Sequence, residues 1–72
     1  MKTLAMMVPG EQRIIQQLKP SPITIKLMEM GLLPGKSVRF NFEAPFGDPI
    51  SVQVAGYQLS LRLDEAKLVE VV

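Results

Sequence analysis

The sequence predicts a mainly β fold, a small five-stranded antiparallel barrel with one short inserted helix. Three observations predict it. Apolar and polar residues alternate along consecutive runs in the second half of the chain. Proline and glycine cluster between those runs, where a chain must turn. Ile23, Leu27 and Met30 recur at helical spacing between the first run and the others, which inserts the helix.

In chain order, Gln12 to Lys19 forms the first run, with Ile14, Gln16 and Leu18 on one face and Ile15 on the other. Ser21 then stands as an N-cap with Pro22 at the first helical position, where its missing N–H costs nothing. The helix stops at Gly31; Leu32 can fold back onto its last turn, and Pro34 prevents continuation. Threonine and isoleucine are mediocre helix formers, so this helix depends on packing against the sheet. Val38, Phe40 and Phe42 alternate with Arg39, Asn41 and Glu43 in the second strand. Ala44-Pro45-Phe46-Gly47-Asp48-Pro49 is a loop, since its prolines cannot donate to a ladder and its glycine accepts positive φ.

The third strand reads Ile50, Val52 and Val54 against Ser51 and Gln53. Ala55-Gly56 is a tight turn. Tyr57, Leu59, Leu61 and Leu63 alternate with Gln58, Ser60 and Arg62 in the fourth strand. Asp64 is placed to cap one helical turn through Lys67, and Val69 and Val71 flank Glu70 in the fifth strand. Closure into a barrel would remove the exposed edges of an open sheet. Val8-Pro9-Gly10-Glu11 and Leu33-Pro34-Gly35-Lys36 repeat one turn chemistry, each turning the chain into a strand with glycine at the positive-φ position.

The bulk numbers bound the function. With 72 residues the chain supports one domain, taken as residues 1–72, around a single core. It has no cysteine, so no disulfide, and neither thiolate nor imidazole for zinc. Its 47% hydrophobic content suits a globular core and excludes general disorder. A net charge of +1 argues against nucleic-acid binding, which clusters Lys and Arg. No apolar run reaches bilayer length, and the opening Met1 to Val8 stops at Pro9-Gly10-Glu11, too short for a secretory signal. The reading is mature, cytoplasmic sequence.

Without histidine or cysteine, the usual catalytic triads and dyads are out of reach. Glu11, Glu29, Glu43, Asp48, Asp64, Glu65 and Glu70 are dispersed, and the five glycines form no phosphate loop. The chain is therefore read as no enzyme, with no cofactor and no metal site, a module that binds another protein. Met6, Met7, Met28 and Met30 either fill irregular gaps in a small core or offer an adaptable contact surface. Phe46 either tucks over the open end of the barrel or stands out as an aromatic anchor. Arg13, Arg39 and Arg62 occupy outward positions.

Three blocks carry a family resemblance: Met28-Glu29-Met30-Gly31-Leu32-Leu33-Pro34-Gly35-Lys36-Ser37-Val38, Ala44-Pro45-Phe46-Gly47-Asp48-Pro49-Ile50, and Leu59-Ser60-Leu61-Arg62. In this order and spacing the chain resembles the ferrous iron transport protein A family, FeoA, and Leu4 to Glu11 is similar to family N-termini. The resemblance implies an SH3-like barrel and a cytoplasmic accessory protein of ferrous iron transport. It implies as partner the membrane transporter FeoB, through its cytoplasmic GTP-binding region or its membrane region. It supplies no catalytic residues. A repressor role, known for a similar fold, lacks the DNA-binding helices that would precede it.

The expected contacts are Met28, Met30, Leu32, Leu33 and Phe46, in a protein held at the inner face of the membrane through its partner and able to form homo-oligomers. The alternatives are a nucleic-acid-binding small barrel, a divergent SH3-like adaptor for another partner, and an iron chaperone. For the first of these, three of the four aromatics (Phe40, Phe42 and Tyr57) read as inward and leave no stacking face.

Overall fold

The computed structural model describes residues 2–72. Five strands form one antiparallel sheet in the order β4-β3-β2-β1-β5. They are β1 (Gln12–Leu18), β2 (Ser37–Glu43), β3 (Ile50–Val54), β4 (Tyr57–Leu61) and β5 (Val69–Val71). Helix α1 (Thr24–Glu29) joins β1 to β2, and α2 (Leu63–Ala66) rounds the corner from β4 to β5. The sequence reading missed a 3-10 turn at Leu4–Met6, which puts Leu4 into the core. The strongly bent sheet is not closed by hydrogen bonds between β4 and β5, so the barrel keeps an open seam.

The core gathers alternate residues of β2 and β3 (Val38, Phe40, Ile50, Val52, Val54) with Ile15, Leu27, Leu32, Leu61 and Val69. Removing such side chains from water is the main stabilising term in a chain this short. The alternation fails where the ladder is irregular. Phe40 faces Val52 but Phe42 faces Ser51, so one extra residue sits on β2 and turns Phe42 out to 55% exposure. On β1 the buried residue is Ile15, while Ile14 lies on the wetter face. Tyr57, next to the hairpin turn, is exposed as well, so Phe40 is the one aromatic that points inward.

The caps also differ from the sequence reading. Ser21 does not cap α1 directly. Its carbonyl accepts from the Thr24 N–H and its hydroxyl from the Ile23 N–H at 3.3 Å, forming a turn that leads into the helix. At α2 the cap is not Asp64. Glu65 reaches back to the Arg62 N–H at 2.9 Å, and Asp48, from the β2–β3 loop, accepts the Leu63 N–H at 3.1 Å. A local sequence window contains no sign of that second, long-range cap.

The repeated Pro-Gly turns prove to be related in three dimensions. The Glu11 N–H closes the first turn on Val8 and the Lys36 N–H closes the second on Leu33, with Gly10 and Gly35 at φ 88° and 89°. The Gly10 N–H donates to the Phe40 carbonyl, and the Phe40 N–H returns to Glu11. In the same pattern the Gly35 N–H donates to Ile15, and the Ile15 N–H returns to Lys36. Each turn thus hooks the strand that the other turn launches, about a local twofold between β1 and β2.

Candidate partner-binding surface

The expected contact residues divide into two groups. Met28, Met30, Leu32 and Leu33 belong to the end of α1. There the Leu32 N–H donates to the Leu27 carbonyl at 3.2 Å and the Gly31 N–H to Met28 at 3.0 Å. This is the Schellman arrangement, with Gly31 at φ 106°. Its geometry carries the chain back over the helix, so Leu32 packs with Leu27 and both are fully buried. Leu32 is core and is not available to a partner. Met30 also packs against the core and Leu33 is half-buried, whereas Met28 is 37% exposed. The sequence reading missed Ile25, one helical turn before Met28 and 71% exposed, so this end presents Ile25 and Met28 together.

Phe46 belongs to the other group. It stands at 99% exposure in the β2–β3 loop, so it does not tuck over the barrel. The loop is nonetheless held firmly. The Gly47 N–H donates to the Ala44 carbonyl at 2.7 Å, the Ala44 N–H to Pro49 at 2.9 Å, and Asp48 ties the loop to α2. Phe42 stands nearby and overlooks a shallow groove of about 250 Å³ that Pro49 and Leu59 also line.

These groups do not form one patch. Gly31 lies against the β3–β4 turn, where a Cβ on it would come 3.6 Å from the Ala55 side chain. Phe46 precedes the opposite end of β3. Five strand residues at ~3.4 Å each place the groups roughly 14 Å or more apart.

The charged residues add an anchor near the N-terminus. Glu11 accepts from Lys2 Nζ at 2.8 Å, from Arg13 Nε, and from the Val8 N–H at 3.0 Å. Lys2 first, then Arg13 and the Val8 amide, hold its carboxyl at about 2, below an ordinary value of 4.5. This cluster fastens the first turn to the N-terminal segment. Among the described residues no three acidic side chains gather into a metal-binding group, and no helix is long and apolar enough to cross a membrane.

The comparisons with known proteins agree with this architecture. The family model FeoA domain matches residues 2–72. The chain belongs to the FeoA family. It superposes with a TM-score of 0.92 on iron(II) transport protein A from Clostridium thermocellum, at 37% identity over 97% of this chain and 44% of that one. A FeoA-like protein from Clostridium acetobutylicum gives 0.91 at 32% identity, covering 97% of this chain and 83% of that one. FeoA from Stenotrophomonas maltophilia gives 0.89 at 28% identity, covering 100% and 91%. That protein was solved with zinc and described as an SH3 domain protein, with a suggested role as a ferrous iron transport activating factor. The SH3-like fold read from the sequence is therefore the fold of this chain.

Proposed function

We propose that this chain is an accessory protein of ferrous iron transport that works by docking onto the membrane transporter FeoB. The observation that carries the reading is the FeoA match across residues 2–72. The surface supports it. Among the described residues no three acidic side chains gather into a metal-binding group, while Phe46 stands out on a hydrogen-bonded loop. An exposed aromatic on a fixed loop makes an efficient anchor, because it brings a large contact area and loses little conformational freedom on binding.

Phe46 is the primary contact in this reading, with Met28 and Leu33 at the helix end as a second point. Ile25 joins them on structural grounds. The protein then acts in the cytoplasm, at the inner face of the membrane. The test is an NMR titration of the labelled protein with the transporter's soluble GTP-binding domain, with and without nucleotide. Saturable shifts centred on residues 44–49 are expected. A flat titration in both nucleotide states would reject docking on that domain.

A further inference from the structure

The two edges of the sheet are not alike. Along β5, the Val71 N–H donates to the Lys2 carbonyl at 2.9 Å and Thr3 bridges Glu70, so the N-terminal segment covers that edge. Strand β4 has a neighbour on one side only. Its pairing with β3 runs without interruption from Ile50 opposite Leu61 to Val54 opposite Tyr57. The hairpin turns on Ala55 and Gly56, both at positive φ, which is the two-residue geometry that makes Val54 and Tyr57 a hydrogen-bonded pair. Alternation from that pair commits the backbone groups of Tyr57, Leu59 and Leu61 to β3. The N–H and C=O of Gln58 and Ser60 point away from the sheet, and no turn, loop or cap hydrogen bond among the described residues reaches them.

Natural sheet edges of this kind are blunted by charge, proline or a bulge. Tyr57-Gln58-Leu59-Ser60-Leu61 has none of these. We propose that β4 pairs antiparallel with β4 of a second copy of this chain, about a twofold axis at Leu59. In that register Gln58 of each copy faces Ser60 of the other, and the pair exchanges its outward N–H and C=O groups. The half-buried Leu59 meets its own copy across the axis, and the exposed Gln58 and Ser60 meet on the other face, while Leu61 stays within its own core. A slip of one residue would set apolar side chains against polar ones.

The strand contains no charge to oppose its own copy. Head-to-tail growth would require β4 to join β5, whose edge Lys2 and Thr3 already occupy. The contact is therefore isologous and closes at two copies. One strand pair buries far less than the ~1,200 Å² of a stable standing interface, so the dimer is weak and reversible.

Sedimentation equilibrium of the full chain, from micromolar to millimolar, tests this without any transporter present. The wild type is expected to dimerise at the upper end of that range. Ser60→Pro removes a donor that is used only across the twofold, and weakens the dimer by up to roughly tenfold for each of the two ladder bonds lost. Ser60→Lys adds an edge charge and does the same without altering the backbone. In a sample mixing labelled and unlabelled wild-type protein, intermolecular NOEs are expected between Gln58 and Ser60. A wild type that stays monomeric to millimolar overturns the proposal. So does a dimer that both folded variants keep, or one whose intermolecular NOEs lie elsewhere.

Discussion

The end of α1 and the β2–β3 loop each turn the chain with a glycine at positive φ, and each carries a large apolar residue beside it. One buries that residue and the other presents it. At the helix end, the Schellman hydrogen bonds reverse the chain over the last turn, so Leu32 lands on Leu27. In the loop, the hydrogen bonds close its own turn and tie Asp48 to the start of α2, and none brings Phe46 toward the core. The difference teaches that the direction in which a turn releases the chain decides burial. Hydrophobicity alone does not, and a conspicuous apolar residue in a turn is a contact only when that direction is outward.

Substitutions can break this contrast. The largest effect belongs to Leu32→Ala, which leaves a cavity in the core and is expected to cost about 2–5 kcal/mol in urea denaturation. That is a large share of the stability of so small a domain. Phe46→Ala should leave the same transition within about 0.5 kcal/mol, because the ring touches almost nothing in the folded chain. Equal losses for the two would erase the distinction.

Asp48→Ala removes the cap that ties the loop to α2. A loss of about 1 kcal/mol is expected, with faster amide exchange at Leu63. Unchanged exchange there would show that the loop is held by its turn alone.

The smallest effect lies outside both regions. The folded Glu11 carboxyl titrates at about 2, below its ordinary 4.5. Its contribution is therefore fully present above about pH 4.5 and is lost as pH falls toward 2. The protection of the Val8 amide, taken relative to its intrinsic exchange rate at each pH, should fall across that window, and Glu11→Gln should remove that fall. Persistence of the fall in the variant would assign it to another group.

Much of this architecture was legible in the sequence. Strict alternation marked β2, β3 and β4, and the glycine at position 31 with Leu32 after it announced the Schellman stop. The repeated Pro-Gly turns were visible too, although not that they hook onto Phe40 and Ile15 in a common pattern. What escaped depends on residues far apart in the chain. The extra residue on β2 that exposes Phe42 appears only when β3 is laid beside it. The cap on α2 comes from Asp48, across a loop and two strands. Of the expected contacts, Leu32 was lost to the core, and Phe46 and Met28 were separated to opposite ends of β3. Ile25 could have been found from its helical spacing to Met28, off the buried face of Ile23, Leu27 and Met30.

The most direct test of docking through an exposed loop is the affinity of the intact transporter, in lipid nanodiscs, for the wild type, Phe46→Ala and Met28→Ala. The account predicts saturable binding of the wild type and a loss of about 2 kcal/mol, some 30-fold, for Phe46→Ala, with a smaller loss for Met28→Ala. Absence of wild-type binding, or a Phe46→Ala protein that binds as the wild type does, would contradict it.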